Sequence, residues 1–446
     1  MTRPQHFGWF LSRGFGPHGW GHPYLDWDYA WQRPELYQHS ARELEQAGFD
    51  LVIIEDALSL GNPETLDLRV RGAYGGPKLD PISLAPYLFA ATSHIGVVPT
   101  VNPVQFPPYQ AARQFATQQH LSGNRLGLNV VTDVGSARHF GLEPLPHDGA
   151  YDRAEEWLTS VEDLWHSWGQ GSLVNDRSTS HFADGTHLDA IKHRGEYYSF
   201  DGPLNALPFG DYDGAVTGDP IIISPGSSPR GLAFTGRHSQ VQLALASLDV
   251  DSIRTYRERV HTAARAQGRT EDDLPLALLV FKPVIVSSTE EAQRLVDASA
   301  NPDEATLLQV ALGWSSDLET DLTSLDLDKH IDPAIFGDHV SRGSIAGLLG
   351  GADGFGSATL RELLIPKARL GRISEGAGVV GTAEEVADFI ELVGAEADND
   401  GFIFSGDLHP VTVHRMLDEL VPILRRRGIL RREYGTAGLR GNLTDF

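Results

Sequence analysis

The sequence predicts an α/β fold, a (β/α)8 TIM barrel with long insertions at its rim. Short apolar runs alternate with helix-patterned segments along all 446 residues, the signature of parallel β/α architecture. Eight such runs can be read as strands. Their bodies are apolar while polar side chains gather at their ends, as in barrels that carry a site at the carboxyl face. A doubly wound sheet is the alternative topology.

The elements follow in order. The first strand is predicted at Phe7–Leu11 and the second at Asp50–Glu55. Between them Pro34 to Ala47 reads as a helix, with proline in its first turn, Gly48 after its end and a buried stripe of Tyr37, Ala41, Leu44 and Ala47. Strand 3 is read at His94–Pro99, followed by a helix from Pro108 to Leu121 that stops at Ser122-Gly123. Strand 4 is Arg125–Val131, and an amphipathic helix follows near Tyr151–Trp168. A polar stretch over 169–219 precedes strand 5 at Pro220–Ser224 and strand 6 at Gln240–Ala246. Strand 7 is read as Leu276–Val286, and 287–375 as irregular and rich in Gly, Asp and Ser. Thr382-Ala383-Glu384-Glu385 is a capping box that opens a helix. Strand 8 is Phe402–Ser405, and a last helix starts at Pro410. No linker separates two self-sufficient cores, so residues 1–446 are expected to form one domain with insertions at about 133–219 and 287–375.

Composition narrows the partners. The net charge of −24 argues against nucleic acid and anionic membranes, which need a basic face. No run approaches the length of a membrane span, and Met1-Thr2-Arg3-Pro4 leads into a strand-like run without a leader pattern. Cysteine is absent, which fits a cytoplasmic protein. The basic cluster Arg425-Arg426-Arg427 with Arg431-Arg432 follows a helix and is read as dipole compensation. The 18 histidines lack a compact H-E-x-x-H spacing, and no metal is expected.

Gly14-Phe15-Gly16-Pro17-His18-Gly19 matches a dinucleotide fingerprint, but Pro17 and Pro23 oppose the helix that must open there. A glycine-rich loop is the better reading, either self-packed or walling a pocket with His18, Trp20, His22, Tyr24 and Trp27. The polar strand ends are Glu55-Asp56, Thr100-Val101-Asn102, Asn129 to Thr132, Ser224 to Ser228, and Ser405. Ser228 suits a helix N-cap before Pro229, and Gly226 lets a ligand come close to the backbone. This end is either an anion seat or an ordinary capped helix.

Several ordered blocks carry a resemblance. They include Trp31-Gln32-Arg33-Pro34, Ala47-Gly48-Phe49-Asp50, Leu121 through Thr132, and Ala137-Arg138-His139-Phe140-Gly141. Leu164-Trp165-His166-Ser167-Trp168, His193-Arg194-Gly195-Glu196, Gly202-Pro203-Leu204-Asn205, Gly381 through Ala387 and Leu430 through Tyr434 continue the series. The chain resembles the nitrilotriacetate and dibenzothiophene-sulfone monooxygenase branch of the bacterial-luciferase-like flavin monooxygenases. The resemblance implies a luciferase-like barrel that uses O2 and reduced FMN, supplied by a separate NAD(P)H:FMN reductase, to oxidise a small organic substrate through a peroxyflavin. By resemblance, Asp56, Thr100, Asn102 and Asn129 flank the flavin ring system, and His147, Tyr151, Ser227 and Ser228 lie at its ribityl-phosphate. His18, His22 and His139 are the candidate acid-base groups near the substrate. A homodimer or homotetramer is implied as well. Leu128, Asp133, Ala150 and the run Asn102-Pro103-Val104-Gln105 depart from the family pattern, which implies a reshaped pocket and leaves the substrate open. A deazaflavin-dependent oxidoreductase on the same barrel and a non-catalytic flavin-binding homologue are the alternatives. A two-carboxylate glycosidase is weak, because Glu55 and Asp56 are adjacent and point to opposite faces.

Overall fold

In the computed structural model, the described residues are 3–11, 32–60, 66–71, 77–132, 134–212, 215–318, 320–336, 345, 348–349, 358–369, 379–406, 410–435 and 438–445. His18, His22 and Asp133 lie outside them.

Eight parallel strands close a barrel in sequential order. They are β1 (His6–Leu11), β2 (Leu51–Ile54), β3 (Gly96–Val101), β4 (Gly127–Val130), β5 (Ile221–Pro225), β6 (Val241–Ala244), β7 (Leu276–Phe281) and β8 (Gly401–Gly406). A helix packs outside after each: α1 (Pro34–Ala47), α2 (Pro81–Phe89), α3 (Pro108–Ser122), α4 (His147–Trp165), α5 (Pro229–His238), α6 (Val250–Ala266), α7 (Ala383–Glu396) and α8 (Pro410–Arg415). The path of α8 continues through a π-helical turn, Met416–Leu420, into Val421–Arg426.

Strand periodicity sorts the apolar residues into two layers. Leu51, Ile53, Val98, Ile221, Ile223, Val241, Leu278 and Ile403 fill the barrel interior. Alternate residues such as Trp9, Ile54, Val97, Leu128, Ile222, Phe281 and Phe402 pack outward against Leu44, Phe115, Trp157 and Ile390 of the helices.

The amino-terminal floor is plugged by the helix Gly438–Thr444, whose Leu439 and Leu443 join the interior cluster. Room for Leu439 exists because Gly127 carries no side chain: a Cβ there would lie 3.0 Å from a Leu439 methyl. Buried Asp50 anchors the floor. One of its carboxylate oxygens pairs with Arg431 at 2.6 Å, and the other accepts the Phe7 N–H at 2.9 Å. Asn442 closes the arrangement by donating to the His94 carbonyl at 2.8 Å.

Two sequence expectations are corrected. The predicted strand Leu276–Val286 is two strands, because Pro283 lacks the N–H a central ladder needs. Its second part, Val284–Ile285, leaves the barrel and pairs with Val380–Gly381. The 287–375 insertion is not irregular where it is described. It holds helices Thr289–Ala300, Glu304–Leu318 and Leu360–Ala368, with an apolar cluster of its own around Leu307, Leu322 and Leu364. Ser288 caps the first of these, and a Thr359–Glu362 capping box opens the last. The polar 169–219 stretch contains short antiparallel pairs, among them Lys192–Arg194 with Ser199–Asp201. No described helix is long and apolar enough to cross a membrane.

Candidate functional site

The carboxyl ends of β3 and β4 bring Thr100 and Asn129 side by side as register partners. Gly127 and Asn129 face the interior, while Leu128 packs outward with the helices. Leu128 therefore does not shape the pocket, contrary to the expectation from the sequence; on a strand, neighbours point to opposite faces. The Asn129 amide Nδ2 donates to Thr100 Oγ1 at 2.9 Å. Its Oδ1 is buried and has no hydrogen-bond partner among the described residues. A buried amide oxygen left without a donor is costly, and a ligand N–H is one group that would satisfy it.

Beyond this pair the chain leaves β3 through Asn102, whose Oδ1 accepts the Val104 N–H at 3.2 Å. Asn102, Pro103, Val104, Thr132, Val134, Leu145, Ala150 and Arg153 line a small cleft that opens to solvent. The 169–219 insertion forms its flank. Tyr198 donates to the Pro103 carbonyl at 2.8 Å, and Glu156 of α4 accepts the Tyr197 and Tyr198 N–H groups at 3.0 and 2.9 Å. Arg153 is the residue that sequence reasoning missed. Its guanidinium lies 5.5 Å from the Tyr197 ring centre, which no local pattern reveals because the two are far apart in sequence.

The end of β5 builds a second feature. Gly226 has φ of +121°, which L side chains rarely adopt. Ser228 is the N-cap of α5, its Oγ accepting the Gly231 N–H at 3.0 Å. Both carbonyls of the turn are held from elsewhere: Gly226 by Gln242 at 3.1 Å, and Ser227 by Arg259 at 3.0 Å. The Tyr151 hydroxyl overhangs both glycines, since a Cβ would meet it at 2.6 Å from Gly226 and 2.8 Å from Gly231. His147 stands beside Tyr151, with ring centres 5.2 Å apart and its Nε2 3.4 Å from Ser228 Oγ. Glycines, a hydroxyl pair, an imidazole and a helix N-terminus are groups suited to receiving an anion. Nearby Arg230 is engaged by Asp152 at 2.7 Å and by Glu155 at 2.5 Å.

Asp56 follows β2, half-buried beside Glu55, which pairs with Lys78. Burial pushes the Asp56 carboxyl up to about 6; Glu55 and Asp80 push the same way, while Lys78 opposes.

The structure thus brings together Thr100 with Asn129, and His147 with Tyr151 and Ser228. Ser227 is exposed and enters through its carbonyl. His139 is exposed on the 3-10 turn Gly135–Phe140, whose buried members are Ser136 and Ala137.

Comparison with known proteins agrees with this barrel. Residues 6–397 match the family described as luciferase-like monooxygenase. The chain is 32% identical to the dibenzothiophene-sulfone monooxygenase of Rhodococcus erythropolis (strain XP), over 99% of this chain and 97% of that protein. It is 29% identical to nitrilotriacetate monooxygenase component A of Aminobacter aminovorans, over 94% and 93% of the two chains. Among solved structures, a riboflavin lyase with modified FMN and its substrate riboflavin superposes with a TM-score of 0.82 at 27% identity, covering 100% of this chain and 96% of that one. The chain belongs to the luciferase-like monooxygenase family and is a flavin-dependent monooxygenase.

Proposed function

We propose that the protein binds reduced FMN delivered by a separate NAD(P)H:FMN reductase and uses O2 to oxidise a small organic substrate. The observation that carries this reading is the unpartnered Asn129 Oδ1 beside Thr100, at the same end of the barrel as the anion seat over Gly226. The residues fit the cofactor. A flavin offers an imide N–H to the orphan acceptor, and its phosphate suits the N–H groups and hydroxyls around Ser228 and Tyr151. When bound, reduced FMN activates O2 and delivers one oxygen atom to the substrate.

The protein's own part is to bind, orient and exclude water. Asn129 is fixed by Thr100 before the ligand arrives, so its side chain needs no further ordering on binding. Ser228 and Tyr151 hold the anionic end, with His147 adding a donor. The Tyr197–Tyr198 hairpin walls the cleft beside Asn102, where the substrate is expected to sit. Asp56 is a half-buried acid within range of physiological pH, suited to holding a proton at the cofactor's rim. A relative named component A supports a separate reductase as partner.

The test is anaerobic titration of the purified protein with photoreduced FMN and, in parallel, with a reduced deazaflavin. Addition of O2 and a substrate panel led by aryl sulfones and aminopolycarboxylates follows. Saturable FMN binding weakened by Asn129→Ala and Ser228→Ala, with substrate-coupled oxygen uptake, is expected. Preference for the deazaflavin, or variants that bind like wild type, would overturn the reading.

A further inference from the structure

A second cluster lies outside the barrel, between its first and last helices. His39 and Glu43 are one turn apart on α1, and His414 reaches them from α8. One oxygen of Glu43, Oε1, lies 3.3 Å from His39 Nε2 and 3.2 Å from His414 Nε2. All three ligand atoms fall within 4.8 Å of one another. Among the described residues this is the one group of three or more histidine, cysteine and acidic side chains that converges so closely.

We propose that His39, Glu43 and His414 form a binding site for a divalent transition-metal ion of the zinc class, which clips α1 to α8. The spacing supports it. Zinc–nitrogen and zinc–oxygen bonds of about 2.0–2.1 Å at tetrahedral angles place ligand atoms about 3.3 Å apart. Two imidazoles and one carboxylate supply three ligands, and the half-exposed setting leaves the fourth position to water.

The surroundings of His414 fit the same geometry. Asp418 Oδ2 lies 3.7 Å from His414 Nδ1. With a metal at Nε2, that carboxylate stands on the side where a metal-bound imidazole usually has its outer partner. Sequence spacing alone conceals the site, because His39 and Glu43 give only two ligands and the third comes from the other end of the chain.

Barrel closure gives the clip a consequence. β1 and β8 seal the barrel by pairing, and α1 and α8 follow those two strands. An ion bridging the helices ties the chain ends together on the outside, and binding to the folded state raises stability by mass action.

The experiment is calorimetric titration of the chelator-treated, full-length protein with Zn2+, with Mg2+ as a control that prefers oxygen ligands. Co2+ substitution reports tetrahedral geometry through its visible absorption. One Zn2+ per chain, a higher melting temperature with zinc, and loss of both in His39→Ala and His414→Ala are expected. Asp418→Asn should weaken binding by roughly tenfold while keeping the stoichiometry. His39 and His414 are partly exposed, and circular dichroism of the metal-free variants checks that they fold. Absence of zinc binding would overturn the proposal, and so would equal binding by His39→Ala/His414→Ala, which would place any bound zinc adventitiously at other histidines.

Discussion

Asn129 donates to Thr100 across the β3–β4 ladder at 2.9 Å, and its own carbonyl oxygen is left buried without a donor. A half-satisfied amide is stable only if its cost is offset elsewhere, and a ligand bound there would do that. Asn129→Ala is therefore expected to weaken reduced-FMN binding about tenfold, the worth of one buried hydrogen bond. Thr100→Val orphans the Asn129 donor instead, with an expected stability loss of about 1–3 kcal/mol. Urea denaturation beside anaerobic FMN titration separates the two effects. A change in stability without a change in affinity for Asn129→Ala would assign that residue to packing.

Gly226 and Tyr151 make the second pair. Gly226→Ala adds a methyl 2.6 Å from the Tyr151 hydroxyl and forces a φ of +121° on an L residue. FMN affinity is expected to fall at least tenfold, with about 1–3 kcal/mol of lost stability from the strained backbone. Tyr151→Phe removes the atom that is struck. The double variant should then recover part of the stability loss but not the affinity, a coupling that a double-mutant cycle reads directly.

These two pairs also show what a sequence can and cannot disclose. Ser228 was legible because capping chemistry is local: a hydroxyl beside Pro229 has few other uses. The barrel was legible because its strands differ so plainly from the helices between them. Asn129 was legible through the family resemblance, but its unpaired acceptor was not, since that depends on Thr100, 29 residues earlier. Pro283 interrupts the apolar run at 276–286, and hydrophobicity alone does not mark where that run divides. Composition similarly hid the helices of the second insertion, although Thr359 and Glu362 carry a capping box. Arg153 was missed for another reason. Its role depends on Tyr197, which arrives through a distant hairpin.

Asp56 yields a pH prediction with a definite sign. Its carboxyl titrates near 6 in the folded chain against an ordinary value of 3.8, chiefly because of burial. The folded state thus holds the proton more tightly than the unfolded chain. This contribution is fully present below pH 4 and is lost as pH rises through about 6. Asp56→Asn lacks the titration, so its stability relative to wild type should climb between pH 4 and 6 and then level off. The rise should be on the order of 2–3 kcal/mol at most, since the group is partly exposed to solvent screening. Denaturant midpoints of both proteins across this range provide the check. Parallel curves would show that Asp56 is ordinary in the folded state.

The barrel floor should affect stability and leave the site alone. Leu439 is fully buried among Leu51, Val98 and Ile221, directly under the space left by Gly127. Leu439→Ala removes that plug and leaves a cavity between rigid strands that cannot collapse, at an expected cost of about 2–5 kcal/mol. Gly96→Ala approaches the same point from the opposite direction, because its new methyl would overlap Leu439. Combining them should be less harmful than the sum, since the added methyl occupies part of the vacated volume. Thr100 lies four residues farther along β3, about 13 Å from the floor at strand spacing. FMN affinity should accordingly stay within twofold of wild type in all three variants. A large loss of affinity in Leu439→Ala would mean that the two ends of the barrel are coupled through strand position, so that the floor helps set the distance between Asn129 and the anion seat.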